Sequence, residues 1–158
     1  MPEIERKFLV RDLPEELRNH PADHIRQGYL SLEPVEVRIR SRAGRPHELT
    51  VKSGDGMTRS EVNVPLTCEQ FDELWPLVGR SIEKERRVLQ QGEWTVEVDL
   101  YAGKLDGLVV AEVEFGTEAE AHGFRPPAWF GVEVTSDPRF RNAALALAEA
   151  PPQITLPA

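Results

Sequence analysis

The chain of 158 residues has one cysteine, Cys68. No disulfide can form within it, and a lone thiol fits a reducing cytoplasm. No run of about 18 apolar residues occurs, so no transmembrane helix is expected. The first ten residues are charged and alternating, unlike a secretory leader. A basic excess is also lacking: 19 Lys and Arg stand against 27 Asp and Glu, a net charge of −8. Non-specific nucleic-acid binding, which needs a basic surface, is therefore not expected. The four histidines, His20, His24, His47 and His122, lack the paired spacing of a zinc site. The glycines of KSGDG (Lys52 to Gly56) lack the phosphate-loop spacing and read as a hairpin turn. No repeat, low-complexity block or long linker divides the chain. One domain over 1–158 is expected, with no membrane or nucleic-acid partner, as a monomer or a homodimer.

What is abundant is alternation. Period-two patterning predicts strands over 3–10, 26–32, 35–42, 48–53, 59–65, 82–89, 94–101, 108–115 and 131–135. Helices are fewer and shorter. One is expected from Asp12, as N-cap, to Asn19. Another is expected over 67–78 behind the capping box Thr67-Cys68-Glu69-Gln70, ending by Gly79. A third is expected over 117–122 and a fourth over 138–149, before an irregular tail at 150–158. Trp75, Trp94 and Trp129 sit in apolar contexts and read as packing residues. Arg139 to Asn142 either cap the last helix or reach toward a site in the interior, and the structural reading is preferred.

The charges fall on one parity, strand after strand. Glu3, Glu5 and Lys7 alternate in the first strand. Arg38 and Arg40 oppose Val37 and Ile39, and Lys52 faces away from Val51. Glu61 and Asn63 oppose Val62 and Val64, Glu97 and Asp99 oppose Val96 and Val98, and Glu112 and Glu114 oppose Val113 and Phe115. Around Lys84 and Arg86 both faces are charged, so periodicity alone assigns neither. A sandwich with solvated outer faces would explain each strand singly. The joint density of Glu, Asp, Arg and Lys fits better with strands closed into a barrel, charges inside and apolar faces outward under helices such as 67–78 and 138–149. Buried charges must be paired or coordinated. Carboxylates without a base imply a hard cation, Mg²⁺ or Mn²⁺. Clustered Arg and Lys imply phosphate. Together they imply a metal-bound phosphate chain.

Glu3-x-Glu5-x-Lys7 resembles the ExExK signature of the CYTH superfamily, the triphosphate tunnel metalloenzymes. Arg38-x-Arg40, Lys52, Arg59 with Glu61, Lys84-x-Arg86, Glu97-x-Asp99 and Glu112-x-Glu114 follow in that family's order. The closing WFGVEVTSDPRFRNAALA is similar to that of short bacterial members. The resemblance implies an α+β fold: a closed antiparallel eight-stranded β-barrel with a charged lumen, helices on the outside and a triphosphate in the tunnel. It also implies roles. Lys7, Arg38, Arg40, Lys52, Lys84 and Arg86 would bind substrate. Glu3, Glu5, Glu112 and Glu114 would hold one Mg²⁺ or Mn²⁺. Glu61, Glu97 and Asp99 would hold a second ion or orient water. Lys52, Lys84 and Glu61 are the expected catalytic residues. Asn63 departs from the family, which often has Glu there, and Arg87 stands where an aromatic is common and reads as outward-facing. Among the family's activities, inorganic triphosphatase fits the short bacterial layout. The alternatives are adenylate cyclase, thiamine or nucleoside triphosphatase, and a non-catalytic polyphosphate- or nucleotide-binding module.

Overall fold

A computed structural model describes residues 2–54 and 57–154. Eight strands form a closed antiparallel barrel: β1 (Pro2–Leu9), β2 (Asp23–Ser31), β3 (Glu36–Arg42), β4 (His47–Ser53), β5 (Thr58–Leu66), β6 (Arg80–Gln91), β7 (Trp94–Tyr101) and β8 (Val109–Phe115). Around the wall the order is β1-β5-β4-β3-β2-β6-β7-β8. Of the expected KSGDG hairpin, Asp55 and Gly56 lie outside the described residues.

Among the described residues the wall is irregular where β2 shifts register on β3 between Tyr29 and Ser31, and again where β1 meets β5. β1 pairs with β5 in register only through Pro2–Ser60, Glu3–Arg59 and Ile4–Thr58. Beyond that the two strands part. The segment expected as a ninth strand over 131–135 lies along the freed edge of β1. It makes a single bridge, Phe8 with Glu133, not a strand. The Leu9 N–H donates to Val132 O at 2.9 Å, and the Val134 N–H donates to Lys7 O at 2.8 Å. Arg6 pins the segment through Glu133, Nη2 to Oε1 2.6 Å.

The outer face of the barrel carries the larger apolar core. Phe8, Val96, Val98, Val113 and Phe115 pack against α1 (Glu15–Arg18), α3 (Glu118–Gly123) and the loop bearing Phe124 and Phe130. Each such burial stabilises by about 1.5–3 kcal/mol. α1 starts later than expected, with Pro14 and not Asp12 as its N-cap. The residue before a proline is pushed out of helical geometry, so the turn begins only after Pro14. α2 (Cys68–Leu74) opens on the capping box of Thr67 and Gln70, and α3 on one of Thr117 and Glu120. After α2 a 3-10 turn, Trp75–Leu77, rests on β2 at Gly28, where a Cβ would lie 2.6 Å from Val78.

The C-terminal segment differs most from expectation. In place of one helix over 138–149 there is a 3-10 turn, Pro138–Phe140, and α4 (Asn142–Leu147), separated by extended Arg141 (φ −68°, ψ 141°). The segment does not lie on the outer wall. Phe140 and Leu145, both buried, pack with Ile82, Tyr101 and Val110. Those three residues share inward parity with Lys84, Asp99 and Glu112. The lumen is thus apolar at this end, and it takes an apolar plug. None of the described helices is long and apolar enough to cross a membrane.

Candidate active site

Strand parity carries the charged side chains into the other part of the lumen. A cavity of about 430 Å³ is lined by Glu3, Arg38, Arg40, Arg42, Arg45, Lys52, Glu61, Asn63, Arg86, Glu97, Glu112, Glu114 and Asn142. Six cationic side chains face five carboxylates, and no aromatic side chain is among them. Beside the plug lies a second cavity of about 540 Å³, which shares Lys52 with the first.

The charges pair across strands. Lys52 Nζ lies 2.9 Å from Glu3 Oε2 and 3.8 Å from Glu61 Oε2. Register explains the second contact, since Lys52 and Glu61 are directly opposed on β4 and β5. Lys84 Nζ lies 2.8 Å from Asp99 Oδ2, and Arg86 grips Asp99 with two bonds of 2.7 and 2.9 Å. Arg86 Nη1 also reaches Glu97 at 2.5 Å. Arg40 pairs with Glu48 at 3.3 Å and Arg42 with Asp23 at 2.8 Å. Arg38 has a long ion pair of 3.8 Å with Glu36, and its buried Nε has no hydrogen-bond partner among the described residues.

Burial and neighbours set the protonation states. Burial pushes Lys84 down to about 8, against the pull of Asp99. Burial also pushes Asp99 upward, but Arg86 and Lys84 together outweigh it and hold the carboxyl well below its usual range. Glu61 is likewise lowered, because Lys52 and bonds to Glu3 and Asn63 overcome desolvation. Glu5 goes the other way. Burial, then the adjacent Glu112, raise it well above 4.5. Glu112 is lowered despite its burial, by the bond from Glu5 and by Lys7 and Arg86. The two neighbouring carboxyls are thus pushed in opposite directions.

Ligand oxygens of Glu3, Glu5 and Glu112 all lie within 4.8 Å of one another. Three carboxylates this close cannot all ionise without a cation. The all-oxygen donor set, partly buried, fits a hard divalent ion, whose charge would favour the ionised form of all three.

The sequence matches the CYTH domain over residues 1–139. It is 44% identical over 153 residues to an inorganic triphosphatase of Nitrosomonas europaea, covering 93% of this chain and 98% of that protein. An inorganic triphosphatase of Acetivibrio thermocellus is 35% identical over 150 residues, covering 90% and 92%. The crystal structure of the inorganic triphosphatase NE1496 superposes with a TM-score of 0.69 at 40% identity, covering 95% of this chain and 97% of that one. The chain belongs to the CYTH family. Its closed eight-stranded barrel is the tunnel fold of that family, whose triphosphate tunnel metalloenzymes are metal-dependent.

Within this CYTH tunnel, the residues singled out from sequence do not all stand alike. Glu3, Arg38, Arg40, Lys52, Glu61, Arg86, Glu97, Glu112 and Glu114 line the cavity. Glu5, Lys7, Lys84 and Asp99 are buried behind that surface. Lys7 Nζ donates to Phe140 O of the plug at 3.2 Å. Asp99 is engaged on both oxygens by Lys84 and Arg86, and Glu114 lines the wall outside the close carboxylate trio. Arg87 is on the outward parity, near-buried, and donates to Arg18 O under α1. Tyr29, fully enclosed, accepts from Gln27 at 2.7 Å. Arg45 and Asn142 also line the cavity: Asn142 takes the less favoured alternative for Arg139 to Asn142, a reach into the tunnel, and Arg45 is not marked by the sequence. Arg45 follows a strand end, and Asn142 belongs to the plug, so no strand periodicity points to them.

Proposed function

We propose that this CYTH protein hydrolyses inorganic tripolyphosphate to pyrophosphate and phosphate with Mg²⁺ or Mn²⁺ in the cytoplasm. The observation that carries the reading is the cavity wall itself, charged in both signs and without an aromatic platform for a base. Tripolyphosphate brings about four to five negative charges, and slow attack by water reflects that repulsion. Six cations already facing five carboxylates cannot balance it alone, so the anion needs metal ions with it. Arg38, with its unpartnered Nε, and Arg40 and Arg86 supply planar donors for terminal oxygens. Lys52, poised between Glu3 and Glu61, supplies a point charge. Lys7 and Lys84 stand behind the wall and add positive potential.

Glu3, Glu5 and Glu112 would hold one ion, with Glu114 beside them. A bound divalent ion polarises phosphoryl oxygens and makes its water more acidic. Glu61, kept ionised by Lys52, is suited to orient an attacking water, and Glu97 stands on the same wall for that task or a second ion. Asp99 serves best as the counter-ion that fixes Lys84 and Arg86. The neutral Asn63 lowers the negative charge available to any second ion.

Phosphate release from tripolyphosphate, ATP and thiamine triphosphate, with Mg²⁺, Mn²⁺ or EDTA, tests the reading. Tripolyphosphate is expected to be cleaved fastest, and EDTA to stop it. Cyclic AMP from ATP would establish the cyclase in its place. Tight binding without release would leave a binding module.

A further inference from the structure

The plug reaches the cavity with one polar side chain, Asn142. Its amide is already fixed on one side. The buried Tyr101 hydroxyl donates to Asn142 Oδ1 at 2.5 Å. With the carbonyl engaged, the part of the amide left over is its two N–H donors. The wall they join holds cations and carboxylates, and an anion can accept from an amide without competing for a proton or a metal. The plug is itself tied to the charged lumen, since Lys7 Nζ donates to Phe140 O two residues before Asn142.

We propose that Asn142 is a substrate-binding residue, donating through its amide to a phosphate oxygen, with Tyr101 as the positioning residue that orients it. This rests on the triphosphate reading above. The donor is neutral, so it suits an oxygen not already gripped by arginine. It also makes the C-terminal segment part of the binding site as well as a stopper.

The test compares Asn142→Asp, Asn142→Ala and Tyr101→Phe in the full chain. Asn142→Asp keeps an acceptor for Tyr101, so the plug stays docked, but replaces the donors with negative charge. Its KM for tripolyphosphate is expected to rise by more than about tenfold, with kcat within a few-fold and the melting temperature unchanged. Asn142→Ala should raise KM by about three- to tenfold. Tyr101→Phe frees the amide to rotate and should raise KM less than either. If the side chain merely holds the plug, Asn142→Asp will match wild type and Tyr101→Phe will match Asn142→Ala. A KM for Asn142→Asp within twofold of wild type overturns the proposal. Calorimetric binding of a non-hydrolysable tripolyphosphate analogue in Mg²⁺ gives an independent readout. A dissociation constant unmoved in Asn142→Asp overturns it as well. Loss of turnover in the wild type, with this binding difference intact, would instead defeat the triphosphatase reading.

Discussion

The same inward faces of the same strands build two unlike chambers. On β6, β7 and β8, Arg86, Glu97 and Glu112 line a charged cavity, while Ile82, Tyr101 and Val110, of the same parity, close over Phe140 and Leu145. Period-two alternation decides which face a residue takes. Position along the strand decides which chamber it enters. The charged chamber keeps its cations and carboxylates in cross-strand pairs, available to a ligand. The apolar chamber spends its side chains on holding the plug.

Breaking the apolar chamber should give the largest effect. Phe140→Ala removes a fully buried ring and should cost about 3–5 kcal/mol in urea unfolding. If stability falls by less than 1 kcal/mol, the plug is not a core element. In the charged chamber, Lys52→Ala strips the partner of both Glu3 and Glu61. Hydrolysis of tripolyphosphate should fall by about a hundredfold or more, with the fold kept by circular dichroism.

A pH series sharpens the contrast. Lys84 loses its proton near 8 in the ligand-free protein, so the KM for tripolyphosphate should rise by about tenfold between pH 7 and pH 9. A flat profile would show that Lys84 contributes no charge to binding. Smallest is the metal effect on stability. Glu5 is raised above 4.5, so the folded protein holds a proton that the unfolded chain releases. That contribution is fully present below pH 4.5 and is lost as pH rises through the higher folded value. An ion that replaces the proton should therefore raise the melting temperature more at pH 8 than at pH 5, by about 2–4 °C. Equal shifts at both values would mean that Glu5 does not release a proton to the metal.

Much of the barrel was legible because alternation is local. Glu3, Arg38, Lys52 and Glu112 could be assigned to one face from their neighbours alone, and the capping box of Thr67 and Gln70 from four residues. The remainder depends on contacts between distant segments. That Glu5 reaches Glu112 is a diagonal contact across β1 and β8, whose register sets Glu5 opposite Glu114 and Lys7 opposite Glu112, and no single strand encodes it. That 131–135 makes one bridge and no strand follows from where β5 leaves β1. Which of Arg139 to Asn142 enters the lumen becomes visible only once Ile82, Tyr101 and Val110 are brought together around the plug.

The joint between β1 and β5 gives the barrel a seam. Three paired residues close it at one end, and the 131–135 segment covers the rest. Glu3 stands on that seam opposite Arg59, and Lys52 reaches it from β4, across β5. The clasp of the wall is thus made from charges that a bound phosphate and its ion would draw to themselves. Filling the tunnel and fastening its hoop are linked quantities, and hydrogen exchange along β1 should report both.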